Sequence, residues 1–113
     1  MRNLRNSVSL IGNLGNEPII KKFKNGTQKA ILILATDESY TKKNGEKVNS
    51  TQWHKLVITN YLVDIVEKYI QKGMRISVNG RLRCKSWENK KGEMQYRTEV
   101  EVSDLLMLSK MIA

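Results

Sequence analysis

Residues 52–87, QWHKLVITNYLVDIVEKYIQKGMRISVNGRLRCKSW, place one helical pattern between two β-type segments. In the first segment Trp53, Lys55, Val57 and Thr59 share one parity and His54, Leu56 and Ile58 the other, as in a strand whose successive side chains point to opposite faces. The period then changes. Leu62, Ile65, Val66, Tyr69 and Ile70 recur at i, i+3, i+4, i+7 and i+8, one face of a helix, with Asn60 placed to cap its start and Gly73 to end it after Lys72. From Arg75 period two returns. Ile76, Val78, Leu82 and Cys84, with Gly80 between them, are expected to face a core, whereas Arg75, Arg81, Arg83, Lys85 and Trp87 share a cationic face that ends in a large ring.

Working outward, Leu4, Val8, Leu10 and Ile11 read as a first strand, ended by the breaker-rich Gly12-Asn13-Leu14-Gly15-Asn16-Glu17-Pro18. Ile19–Phe23 and Lys29–Thr36 flank Lys24-Asn25-Gly26-Thr27, whose Asn-Gly step favours a tight hairpin turn because both residues accept positive φ. Asp37–Thr51 is almost wholly polar apart from Tyr40 and Val48, with Lys42-Lys43-Asn44-Gly45-Glu46-Lys47 in its middle, so a long, exposed, mobile hairpin loop is expected. Beyond residue 87, Glu88-Asn89-Lys90-Lys91-Gly92-Glu93 supplies a turn, and Met94–Leu108 alternates again. Five principal strands with the helix between the third and the fourth predict an all-β fold with one helix: an OB fold, the five-stranded Greek-key barrel. The 113 residues are expected to form a single domain, 1–113, without repeat or linker.

Twenty Lys and Arg against eleven Asp and Glu give a formal charge of +9 and a pI near 9.8, which makes a polyanion the first candidate partner. Charge alone leaves nucleic acid and a membrane surface both open. No stretch approaches the roughly 20 apolar residues that span a bilayer, so no membrane association is expected. The N-terminal residues lack the apolar core of a signal peptide, and the single cysteine, Cys84, offers neither a bridge nor a zinc-type spacing. A reducing, cytoplasmic compartment is expected. His54 is the sole histidine, and no Ser/His/Asp spacing, P-loop, GxGxxG or carboxylate cluster accompanies it. The chain therefore reads as a non-enzyme without metal or cofactor.

The basic face narrows the partner. A flexible single strand presents phosphates and unstacked bases, so a sequence-tolerant binder needs Lys and Arg along a groove and aromatic rings as stacking platforms. Two strands each offer a tryptophan beside cations: Trp53 beside Lys55, and Trp87 beside Arg81, Arg83 and Lys85. Duplex bases are already stacked, so the pairing favours single strands. A tryptophan in a small β-domain is also an ordinary core residue, and parity by itself does not separate the two roles. Tyr40, in a polar loop with little core to join, reads as a contact residue. Lys42, Lys43 and Lys47, like Lys90 and Lys91, are either solvated loop charges or contacts to a wrapped strand. Tyr69 reads as packing, and Tyr96 stays open.

Val8-Ser9-Leu10-Ile11-Gly12-Asn13-Leu14-Gly15-Asn16-Glu17-Pro18, Leu34-Ala35-Thr36-Asp37-Glu38-Ser39-Tyr40, Thr51-Gln52-Trp53-His54-Lys55-Leu56-Val57, Lys72-Gly73, and Gly80-Arg81-Leu82-Arg83 with Trp87 and Tyr96-Arg97-Thr98-Glu99-Val100 resemble the bacterial single-stranded DNA-binding protein family, in order and over nearly the whole chain. The resemblance implies a homotetramer with single-stranded DNA wrapped over its subunits in replication, recombination and repair, in a bacterial cytoplasm at the nucleoid. Carried over by position, it implies Tyr40, Trp53 and Trp87 as stacking aromatics and Lys55, Arg83 and Lys85 as phosphate contacts, to which parity adds Arg81 and the basic loop adds Lys42 and Lys43. His54 matches a packing or subunit-contact position. A further aromatic of the family falls on Thr59 here, a loss that nearby Tyr61 would partly replace. Many members continue into a flexible linker and an acidic tail that recruits replication and repair enzymes. This chain stops at Lys110-Met111-Ile112-Ala113, so tail-mediated recruitment is not expected, whether it is a trimmed domain or a naturally short form. Three rivals remain: a replication-assembly OB module with fewer stacking residues, a cold-shock-like RNA barrel with aromatic-rich motifs absent here, and a small nuclease, which would require clustered carboxylates and a divalent metal.

Overall fold

Alternation in the segment Gln28–Asp37 sends Ala30, Leu32, Leu34 and Thr36 into the interior and turns Lys29, Ile31, Ile33 and Ala35 toward the outside. The same logic builds each long strand of the computed structural model, which describes residues 5–108. In chain order these are β1 (Val8–Leu14), β2 (Ile19–Lys22), β3 (Gln28–Asp37), β4 (Tyr40–Thr41), β5 (Lys47–Val48), β6 (Thr51–Thr59), α1 (Tyr61–Tyr69), β7 (Arg75–Glu88) and β8 (Met94–Met107). Leu4, expected at the head of the first strand, and Lys110–Ala113 lie outside the described residues.

The long strands close into a ring. β3 and β6 pair antiparallel from Lys29↔Thr59 to Asp37↔Thr51. β8 joins β6 in parallel through Leu56↔Val100 and Val57↔Glu101, and pairs antiparallel with β7. β7 carries β1 on its other side, from Val8↔Gly80 to Asn13↔Arg75. β1 then reaches β3 through Asn13↔Ala35 and Leu14↔Leu34. Closure depends on Gly12, because a Cβ there would overlap the backbone carbonyl of Ala35. The ring order β1-β7-β8-β6-β3 is that of the OB barrel, with β2 added at the free side of β3. The helix lies between β6 and β7, the third and fourth of the five long strands, as the sequence predicts.

Leu14, Leu32, Leu34, Leu56, Ile58, Ile76, Val78, Val100 and Val102 fill the barrel, and Val63, Val66 and Ile70 join the same core from the helical segment. Here the expected helix face is corrected. Val63 is buried and Leu62 packs beside it, while Ile65 and Tyr69 are exposed by more than a third; the apolar stripe is turned by about one residue from the one the spacing predicts. Ile70 belongs to that stripe without being helical. It is the C-cap in extended conformation, so the helix ends at Tyr69, and Gly73 at φ 89° instead shapes the following turn, donating its N–H to the Leu14 carbonyl at 2.8 Å. Asn60 does not cap through its side chain either. It takes φ 62°, a conformation Asn tolerates better than most residues, while Gln28 Nε2 donates to the Asn60 carbonyl at 3.2 Å and to Asp64 Oδ1 at 2.9 Å.

Two further expectations change. The loop Asp37–Thr51 is exposed but carries its own ladder, β4–β5, with Tyr40↔Val48 and Thr41↔Lys47 in register around the Asn44-Gly45 turn. The core face assigned to β7 holds for Ile76, Val78 and Gly80 and fails for Leu82, which is 49 % exposed, and for Cys84, also exposed. β6 pairs with β8 only as far as Val100, the partner of Leu82, and the β7–β8 hairpin runs on as an arm out to Glu88↔Met94; on β7 itself every side chain from Arg81 to Glu88 is exposed. No helix among the described residues is long and apolar enough to cross a membrane.

Candidate nucleic-acid interface

The outward side chains of β3, β6, β8 and β7 form one continuous face. Its floor is apolar: Val57 is buried and Ile31 and Ile33 are half-buried. Trp53 stands at one side, 62 % exposed, with its ring edge on the backbone of Gly15, where a Cβ would come within 2.6 Å of Cζ3. That backbone is held in place. Gly15 N–H donates to the Ile33 carbonyl at 2.8 Å, and Asn16 Oδ1 accepts from Ile33 N–H at 2.9 Å. The sequence thus provides a bare peptide seat beneath a ring whose remaining surface is open. Gly15→Ala is expected to displace that ring while leaving the barrel folded; a shifted tryptophan emission maximum with an unchanged far-ultraviolet spectrum is the measurement that checks it.

Trp87 lies on the arm, 42 % exposed, and the guanidinium of Arg97 sits 5.2 Å from its ring centroid. The cations stand on the same outward side of β6 and β7. Lys55 Nζ is 3.4 Å from Glu99 Oε2, and Lys85 Nζ is 3.1 Å from Glu99 Oε1, so one carboxylate ties β6 to β7 across β8. Arg81 Nη2 is 3.0 Å from Glu101 Oε1, and Arg83 Nε is 3.5 Å from Glu101 Oε2. The Glu99 side chain is only 4 % exposed. Burial pushes its carboxyl up, but the hydrogen bonds and charges of Lys85 and Lys55 outweigh that and hold it below the usual carboxylate value.

Sequence reasoning missed Lys29. Burial and the charge of Lys85 push its ammonium below the ordinary lysine value, with Lys55 acting in the same direction and Glu99 partly offsetting them. Lys55 and Lys85 thus pair with one buried carboxylate, and Lys29 feels the charge of all three groups. Sorting β3 by parity, as was done for β6 and β7, would have put Lys29 on this face. Glu99 and Glu101 gave no comparable signal, because their partners are known only once the register of β8 is known.

The remaining candidates sit elsewhere. Tyr40, Lys42 and Lys43 are exposed on the separate β4–β5 hairpin, where Lys42 Nζ lies 3.7 Å from Glu46 Oε2. His54 points to the inner side of β6, opposite Leu34, with Nε2 2.9 Å from the Thr36 hydroxyl. Thr59 is exposed at the end of β6, and Tyr61 is largely exposed at the first turn of α1. Among the described residues no group of three His, Cys, Asp or Glu is placed to hold a metal.

The model of the single-strand binding protein family matches residues 5–108. The chain belongs to this family. It is 42 % identical over 106 residues to a single-stranded DNA-binding protein of Bacteroides thetaiotaomicron, covering 92 % of this chain and 66 % of that protein. Single-stranded DNA-binding protein 1 of Xylella fastidiosa is 37 % identical over 106 residues, covering 93 % of this chain and 78 % of that one. The corresponding protein of Chlorobaculum tepidum is 38 % identical over 104 residues, with 91 % and 64 % covered. The chain thus spans about two thirds of the length of the Bacteroides and Chlorobaculum relatives. Among solved structures, the Plasmodium falciparum single-strand binding protein in complex with single-stranded DNA superposes with a TM-score of 0.85 at 34 % identity, over 96 % of this chain and 98 % of that one. A deletion mutant of the Thermus aquaticus single-stranded DNA-binding protein gives 0.80 at 26 % identity, over 92 % of this chain and 50 % of that one. Family membership and fold agree with the expectation drawn from the motif blocks.

Proposed function

We propose that this member of the single-strand binding protein family binds single-stranded DNA without sequence preference, laying it across the outer face of β3, β6, β8 and β7. The observation that carries the reading is the exposure of Trp53 and Trp87 on the face that also carries Lys29, Lys55, Arg81, Arg83 and Lys85. Rings of this kind accept any base, and the cations accept any phosphate, so the face has no means of reading sequence. Tyr40, Lys42 and Lys43 on the β4–β5 hairpin serve as further contacts that fold over the strand. The family likeness supports a homotetramer with the strand wrapped over its subunits, with His54 as a packing or subunit-contact residue, in a bacterial cytoplasm at the nucleoid. In replication, recombination and repair such a protein coats exposed strands and removes secondary structure by mass action, because a ligand of the single-stranded state alone shifts the duplex equilibrium.

Titration of intrinsic tryptophan fluorescence with oligothymidine, at several salt concentrations and against duplex of equal length, tests this. Strong quenching by the single strand is expected, weakened by salt and nearly absent with duplex. Absence of quenching at low salt refutes the reading.

A further inference from the structure

Four of the cations on the proposed binding face are already held by carboxylates of the protein itself: Lys55 and Lys85 by Glu99, Arg81 and Arg83 by Glu101. The two acids occupy alternate positions of β8 and therefore point to the same side, opposite Arg83 and Arg81 in the ladder. In a chain with 20 basic and 11 acidic residues, acids set in the middle of the cationic face work against the attraction of a polyanion. Their surroundings differ. Glu99 is buried and cannot lose its charge without leaving Lys29, Lys55 and Lys85 to repel one another. Glu101 is 36 % exposed and its two arginines are about half exposed, so these pairs are weak and exchange readily with another anion.

We propose that Glu101 sets the strength of single-stranded DNA binding by standing in for phosphate on Arg81 and Arg83, a brake that keeps the complex readily reversible. The proposal rests on the function given above. When a strand arrives, each arginine exchanges a carboxylate for a phosphate instead of capturing it from bulk solvent, and the displaced carboxylate remains in place to repel the backbone. Glu99 does the same for Lys55 and Lys85 but is tied to the fold, whereas Glu101 can be neutralised without opening the core.

The test compares binding of oligothymidine by the wild-type chain, Glu101→Gln and Glu67→Gln over a range of salt concentrations. Glu67 lies on the helix, where it pairs with Lys22 at 3.5 Å, so its substitution makes the same change in net charge away from the face. Glu101→Gln is expected to bind about fivefold more tightly at low salt, the effect of removing a unit charge about 4 Å from a phosphate in water. The gain should shrink as salt rises, because the repulsion it removes is screened. Equal affinity in Glu101→Gln and wild type overturns the proposal, as does an equal gain in Glu67→Gln, which would make the effect one of net charge. Weaker binding by Glu101→Gln also overturns it, since Glu101 would then be positioning the arginines for phosphate. Failure of the wild-type chain to bind at all removes the functional reading itself, and is recognisable because no variant comparison is then needed.

Discussion

Replacing Trp53 and Trp87 by alanine is expected to weaken single-stranded DNA binding by about 1–3 kcal/mol for each ring, the usual worth of a base stacked on an aromatic side chain. The rings stand on β6 and β7 with β8 between them, Trp53 on the Gly15 backbone and Trp87 beside Arg97, so their losses should be close to additive, about 2–6 kcal/mol for the double variant. Stability should change little. Both rings are substantially exposed; Trp53 rests on bare backbone at Gly15 and Trp87 on the exposed guanidinium of Arg97, so neither removal opens a cavity in the core. Equilibrium titrations paired with thermal melts separate the possibilities. Lost affinity with a preserved melting temperature supports stacking, whereas a melting temperature that falls in step with affinity would return the tryptophans to a packing role.

Gly80→Ala should have the opposite signature, a large loss of stability with binding lost only because the fold is lost. A Cβ at this position would overlap the carbonyl oxygen of Glu101 and sit 2.9 Å from its carbon and 3.0 Å from Val102 Cα. All three are backbone atoms, so no rotamer change relieves the clash. The site is also where the ladder is irregular. Gly80 pairs with Val102 and Asn79 with Asp104, which leaves Ser103 as an extra residue whose hydroxyl donates to the Asn79 carbonyl at 3.0 Å. Relief would require β7 and β8 to part at the point where they leave the barrel. Overpacking of this kind costs about 1–3 kcal/mol and more where backbone must move, a fall in melting temperature on the order of 10 °C for a chain of this size. A melt within a few degrees of the wild type would show that the bulge can absorb the methyl.

The helix and the two carboxylates illustrate where a one-dimensional reading stops. Spacing located α1 to within a residue or two and identified most of its apolar positions, yet chose Ile65 and Tyr69 over Val63. Either stripe is compatible with a helical period; which one turns inward is settled by where the segment meets β3 and β6. Asn60 does stand at the N-cap, though without a side-chain bond, whereas Gly73 lies beyond the helix end at Tyr69; both take positive φ, and their partners, Gln28 and Leu14, lie far away in sequence.

The strand order, the helix between the third and fourth long strands, and the split of β6 into Trp53 and Lys55 outside and Leu56 and Ile58 inside were all legible in the residues alone. Each depends on a period that a few adjacent side chains carry by themselves. The exposure of Leu82 and Cys84, the place of Lys29 beside Lys85, and the pairing of Glu99 and Glu101 with four of the basic residues were settled by the folded chain. They depend on where the barrel ends and on which rungs of separate strands lie side by side, and such contacts between distant residues leave no period in the sequence.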